Sequence, residues 1–141
     1  MRALIDTCIV VDALQNRDSF SADAQKIFLA AANKRFVGFL TARSAADIYY
    51  LTHRYMHNDK EPRDVLNVLF CLFELADTTG ADCKQALFSD VSDYEVAVMI
   101  EAAIRMNMDC IVTHKKKDFS KSTIPIYSPA DFLSRIEQRE E

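Results

Sequence analysis

Three observations in this sequence predict an α/β domain built on a mainly parallel sheet. Apolar runs short enough for buried strands alternate with segments of ten or more residues carrying helical periodicity, which implies right-handed crossovers and a sheet covered on both faces. The first run, Leu4-Ile5, stops abruptly at an acid, Asp6. Glycine and proline number only two and three, against a usual share of roughly 12%, whereas turn-rich sandwiches and barrels need more of both. With 141 residues, the chain makes one domain over 1–141.

The elements follow in order. Arg2-Ala3-Leu4-Ile5 is a buried strand whose carboxyl end carries Asp6. Ser21 is placed to N-cap a helix through Ala32, with Ala22, Ile27, Phe28 and Ala31 on its inner side and Asn33-Lys34 closing it. Arg35 to Leu40, aromatic and β-branched, is a second strand. Ser44 opens a helix to about Met56, residues 57–60 make a loop, and Pro62 in a first turn starts a helix through Leu72. A short strand is expected at Ala76-Asp77-Thr78 and a helix from Ala81 to Phe88. After Ser92 a long helix to Met106 is apolar on nearly every side, hence expected to be central. Strands at Cys110 to Thr113 and Ile124 to Tyr127 follow, and Ser128-Pro129 caps a last helix from Ala130 to about Gln138.

Seventeen Lys and Arg against twenty-one Asp and Glu give a net charge of −4, so any hold on phosphates must be local or mediated by a bound cation. Four cysteines at irregular, wide spacings, with no targeting segment ahead of them, point to reduced thiols in a cytoplasm. The longest apolar stretch, Tyr94 to Met106, is broken by Glu95, Glu101 and Arg105, so no membrane span is expected. Neither a P-loop nor a dinucleotide fingerprint is present, and the three histidines lack zinc spacing. Tyr49, Tyr50 and Tyr55 follow helical spacing, which favours packing over base stacking.

In parallel sheets functional groups collect at the carboxyl ends of the strands. Four carboxylates belong to that edge: Asp6, Asp47, Asp93 and Asp118. Ser44-x-x-Asp47 and Ser92-x-x-Glu95 also fit capping boxes, which gives Asp47 and Asp93 a purely local alternative. Asp6 is harder to explain locally, because an acid ending a buried strand must be hydrated, paired or metal-bound. Two carboxylates 4 Å apart repel by roughly 4 kcal/mol at an effective dielectric of 20. Convergent acids therefore call for a cation, and Mg²⁺ or Mn²⁺ suits oxygen donors reached from separate elements.

These residues resemble a known family in order and spacing. Leu4-Ile5-Asp6-Thr7, Val11-Asp12-Ala13-Leu14, Asn16-Arg17, Ser44-Ala45-Ala46-Asp47-Ile48-Tyr49-Tyr50, Asp93-Tyr94-Glu95-Val96-Ala97, Ile111-Val112-Thr113, Lys117-Asp118-Phe119 and Ser128-Pro129-Ala130-Asp131-Phe132-Leu133 together look like the PIN domain of metal-dependent ribonucleases, VapC-type toxins included. The resemblance implies a PIN-like fold with a sheet of four to five strands flanked by helices. It also implies an acidic pocket binding Mg²⁺ or Mn²⁺ and endonucleolytic cutting of single-stranded RNA.

Carried over residue by residue, Asp6 stands at the family's first acid and Asp47 at its second. Val96 stands where an aspartate is usual, with Asp93 one turn earlier. His114-Lys115 replaces Arg followed by Asn or Asp, and Asp118 remains. The resemblance thus implies a catalytic set of Asp6, Asp47, Asp93 and Asp118, the first three holding metal. Lys115 would either relieve the acids' repulsion in place of a cation or join His114, Lys116 and Lys117 in a basic lip for RNA; a solvated surface run is the plain alternative. An antitoxin protein is an expected partner if the chain is a toxin. The family's frequent homodimers could use the exposed side of the helix from Pro62 to Phe73. A degenerate domain that binds RNA or protein without cutting is the alternative reading, favoured by Val96 and Lys115.

Overall fold

A computed structural model describes residues 1–16 and 18–140; Arg17, part of the family-like pattern, lies outside the described residues. Five strands, β1 (Arg2–Ile5), β2 (Val37–Thr41), β3 (Glu74–Ala76), β4 (Cys110–Val112) and β5 (Ile126–Tyr127), form one sheet in the order β3-β2-β1-β4-β5. Every neighbouring pair is parallel. The described helices are α1 (Thr7–Leu14), α2 (Ser21–Ala32), α3 (Ala42–Met56), α4 (Lys60–Leu72), α5 (Gly80–Ala86), α6 (Tyr94–Arg105) and α7 (Pro129–Glu140).

Alternation along the central strands divides the core. Ala3, Ile5, Leu40, Cys110 and Val112 pack with Ile9, Ile27, Ile48, Leu69 and Phe132 of α1, α2, α3, α4 and α7. Leu4, Phe39 and Ile111 turn to the opposite face and meet Ile100 and Ala103 of α6 with Phe119. Both faces are covered, as parallel strands require.

Several local expectations are corrected. Residues 7–14, given no element in the sequence reading, form α1, buried continuously from Cys8 to Asp12. On α2 the inner residue is Ala24, fully buried, while Ala22 is exposed, because the helix meets α1 and α7 along the line of Ala24, Ile27 and Ala31. Its N-cap position is Phe20 rather than Ser21. Helix α6 is not enclosed: it covers one face of the sheet, and Tyr94 and Ile104 stay 46% and 42% exposed. Strand limits move by one to two residues, following the pairings Arg2 with Val37 and Thr41 with Ala76. Ser128 does cap the last helix, its Oγ accepting from Asp131 N at 3.2 Å.

Candidate active site

Continuing the strand pairings past Ile5 sets Thr41, Asp6 and Thr113 side by side at the carboxyl ends of β2, β1 and β4. The backbone N–H of Asp6 still belongs to the sheet, donating to Val112 O at 3.0 Å. Asp6 holds the N-cap position of α1, yet its side chain makes no capping hydrogen bond. Its Oδ2 instead accepts from Thr113 Oγ1 at 2.7 Å and from Cys8 Sγ at 3.2 Å. Asp6 is 8% exposed and Thr113 fully buried. A buried carboxylate needs such donors, and both bonds fall on one oxygen. Burial, reinforced by the negative charge of Asp6, pushes the Cys8 thiol up to about 12. The thiol is therefore a donor here and not a nucleophile.

Next to it, Thr41 caps α3: its Oγ1 accepts from Ser44 N at 3.1 Å and donates to Ser44 Oγ at 2.8 Å, while Thr7 Oγ1 donates to the same oxygen at 2.9 Å. The box expected to start at Ser44 is thus not formed, and Asp47 lies one turn inside α3 with no part in the cap. Asp93 does cap α6, its Oδ1 accepting from Val96 N at 3.3 Å. The box expected from Ser92 is not formed, the cap lying one residue later, and Glu95 pairs with Arg43 across the hollow. That hydrogen bond raises the pKa of Arg43 further, above its already high ordinary value. Asp118 lies in the 3-10 turn Lys116–Phe119, exposed.

All four predicted acids, Asp6, Asp47, Asp93 and Asp118, line one hollow of about 520 Å³ at this sheet edge. Arg43, Arg54 and Lys115 line it too, with Glu95 and Val96. Lys115 is exposed, and among the described residues no ion pair joins it to a carboxylate; its backbone N–H donates to Thr113 Oγ1 at 3.0 Å. The acids share the hollow without closing on a point: among the described residues no three His, Cys, Asp or Glu side chains stand where they could jointly hold an ion. The donor set nevertheless fits Mg²⁺ or Mn²⁺. Such hard cations are usually held by one or two carboxylates with waters and substrate phosphate completing the shell, and the hollow offers carboxylates and hydroxyls as hard donors beside one high-pKa thiol, with Arg43, Arg54 and Lys115 as its cations.

The expected basic lip divides. Lys115, Lys116 and Lys117 are exposed, with Lys116 Nζ 3.9 Å from Asp131 Oδ2. His114 turns inward: its Nδ1 is 2.6 Å from Oδ2 of Asp12, which is fully buried, and its ring stacks on Phe20. The correction follows from a buried charge demanding a partner, which an imidazole at the end of β4 supplies. Tyr49 packs as expected, against Tyr50 and His53, but Tyr50 is 67% exposed and lines the acid hollow. Thr7, Thr41, Thr113 and Cys8 receive no role in the sequence analysis, although Thr41 and Thr113 stand on the expected edge. The threonines have a signal in the sequence, since the runs Leu-Ile-Asp-Thr, Phe-Leu-Thr and Ile-Val-Thr each bring a hydroxyl to the last residue of a strand or within two residues after it.

Comparison with known proteins agrees with this architecture. A family model described as PIN domain matches residues 2–117. No curated relative matches in sequence. The chain is similar in structure to VapBC from Salmonella typhimurium bound to DNA, with a TM-score of 0.67 and 13% identity over 92% of this chain and 98% of the other. A toxin-antitoxin complex from Klebsiella pneumoniae gives 0.64 and 17%, over 90% and 97%. VapBC2 from Rickettsia felis, bound to a promoter DNA fragment, gives 0.62 and 16%, over 91% and 98%.

Proposed function

The chain belongs to the PIN domain family, and on that premise we propose that it is a Mg²⁺- or Mn²⁺-dependent endoribonuclease cutting single-stranded RNA, working as the toxin of a toxin-antitoxin pair. The observation that carries the reading is Asp6: a nearly buried carboxylate at the end of the central strand, not used for capping, fixed by Thr113 and Cys8 within a hollow that also takes Asp47, Asp93 and Asp118. Asp6 and Asp47 would hold the ion, with Asp93 reaching it only through a water bound at Oδ2, the oxygen its helix cap does not use. A divalent ion supplies a water of lowered pKa and neutralises charge on the phosphodiester. Lys115 and Arg54 draw the RNA backbone to the hollow, and Asp118 orients the attacking water for in-line displacement at phosphorus.

Solved structures of the same fold are toxin-antitoxin and DNA-bound complexes, which supports an antitoxin protein as partner. No described helix is long and apolar enough to cross a membrane, in keeping with action in the cytoplasm. A homodimer through α4 fits the exposure of Val68 and Phe70. The test is cleavage of a single-stranded RNA panel with Mn²⁺, alongside calorimetric Mn²⁺ titration. Wild type cuts and binds the ion, whereas Asp6→Asn does neither; equal cutting by a nuclease-free preparation of Asp6→Asn overturns the reading. One observation favours a non-cutting binding module, namely Val96, an apolar side chain in the wall of the acid hollow. That module would bind the RNA panel and leave it intact.

A further inference from the structure

We infer that the hollow around Phe20 is a nucleobase subsite for single-stranded RNA adjoining the acid cavity. The inference rests on the ribonuclease reading and names where the strand leaves the acids. This second hollow, about 670 Å³, is lined by Phe20, His114, Lys116, Lys117 and Pro129, and it shares Lys115 and Asp118 with the acid cavity. The two are therefore neighbours on one edge, within the size range of small-ligand sites, roughly 300–1,000 Å³.

Phe20 supplies the platform. Its ring lies 4.2 Å from that of His114 at 24°, and it keeps 45% of its surface open. Behind it His114 is anchored by its 2.6 Å contact with the fully buried Asp12. The phenyl is thus held in place before any ligand arrives, so stacking a base on it costs little side-chain entropy. Local helix chemistry does not account for a phenylalanine here. Phe20 occupies the N-cap position of α2 and makes no side-chain cap, where Ser, Asp or Asn would serve the helix better. Three consecutive exposed lysines flank the ring in a chain of net charge −4. An aromatic platform with cations beside it is how single strands are held without base-specific hydrogen bonds. The acids Asp23 and Asp118 at the rim limit the pull to a strand that brings its own phosphates to the lysines.

The test uses the full chain in EDTA with a mixed-sequence 12-mer RNA carrying 2-aminopurine, plus the same oligonucleotide with abasic positions. Wild type binds and quenches the 2-aminopurine fluorescence. Phe20→Ala weakens binding about tenfold, the lower to middle part of the usual loss for one stacked base, and abolishes the quenching. Phe20→Tyr preserves both, and abasic RNA removes the difference between wild type and Phe20→Ala. Thermal unfolding checks that each variant is folded. Equal affinity and quenching for wild type and folded Phe20→Ala overturn the subsite while leaving RNA binding, and the ribonuclease reading, in place. Absence of RNA binding by wild type in EDTA overturns the subsite, and the ribonuclease reading is then decided by cutting of the RNA panel with Mn²⁺. A cognate antitoxin peptide that loses affinity for Phe20→Ala while RNA affinity stays unchanged makes this a protein-docking surface and overturns the subsite.

Discussion

Replacing Thr113 by valine removes one hydroxyl from the centre of the site and almost nothing else. Thr113 is fully buried and valine has nearly its shape, so no cavity opens. The hydroxyl donates to Asp6 Oδ2 at 2.7 Å and accepts from Lys115 N at 3.0 Å. A hydrogen bond to a charged group contributes about 1.5–3 kcal/mol, and a partly covered N–H left without its acceptor costs about 1 kcal/mol more. The expected loss is therefore about 3 kcal/mol, or roughly 1.5 M off the urea midpoint at an unchanged slope of about 2 kcal/mol per M. Melting should fall by roughly 6–12 °C for a domain of this size. Repeating the substitution on an Asp6→Ala background isolates the bond, because there the hydroxyl has lost its charged acceptor and its removal should cost only about 1 kcal/mol. A cost below 1 kcal/mol in the native background, or the same cost in both, refutes the assignment of Thr113 as the group that fixes Asp6.

Three further outcomes are expected. Burial first, with nearby acids adding to it, holds both Cys8 and Cys110 up to about 12 against an ordinary 9.0; above pH 9 the unfolded thiols ionise and the folded ones do not. Stability should fall by about 1.4 kcal/mol per pH unit for each thiol as pH rises from 9 toward 12, a slope that denaturant titrations should find reduced in Cys8→Ala, Cys110→Ala. Burial would raise the Asp82 carboxyl, but the guanidinium of Arg105 and the capping bonds of Thr79 outweigh it and hold it below the usual range. Arg105→Met should cost about 2–3 kcal/mol near pH 7, with the cost shrinking as pH falls through the usual carboxylate range and Asp82 protonates; an equal cost at pH 3 would contradict it. A Cβ at Gly38 would lie 2.6 Å from Phe73 Cδ1 and 2.9 Å from Phe36 Cε2, so Gly38→Ala should destabilise by about 1–3 kcal/mol through overpacking, read from the same urea curves.

The fold was legible wherever burial is one-sided. Helices α3 and α4 alternate apolar and polar faces, and the sheet strands are short apolar runs closed by polar residues, so period and length both speak. Helix α1 shows the opposite case. Cys8 to Asp12 is buried throughout, leaving no polar face to reveal a 3.6-residue repeat, and the β-branched run Ile9-Val10-Val11 has strand propensity that the tertiary setting overrides. Missing α1 also hid the partner of His114, because Asp12 belonged to no element and its burial could not be foreseen. The acids of the site were legible because each stands at or shortly after an element boundary on the carboxyl edge. Which of them a single ion could join is a matter of side-chain distances, which strand order leaves open. Likewise the helix caps that fit by spacing proved displaced, from Ser44 to Thr41 and from Ser92 to Asp93, and neither forms a reciprocal box; at Thr41 the residue that leaves the strand decides where the helix begins.

The position of Thr113 explains how an acidic chain can present acids and cations on one edge, as the proposed RNA substrate requires. Its single hydroxyl fixes Asp6 on one side and the backbone of Lys115 on the other, so the first acid and the start of the basic turn are set by the same atom. The next residue, His114, is held by buried Asp12 and carries Phe20 on its ring. Acid, lysine and aromatic platform therefore descend from three consecutive residues at the end of β4, a strand paired directly to β1. A shift of that strand end would move all of them together. Disturbing Thr113 should consequently impair RNA affinity as well as cleavage, whereas loss of Asp47, which sits on α3 apart from this chain of contacts, should impair cleavage while leaving affinity close to wild type.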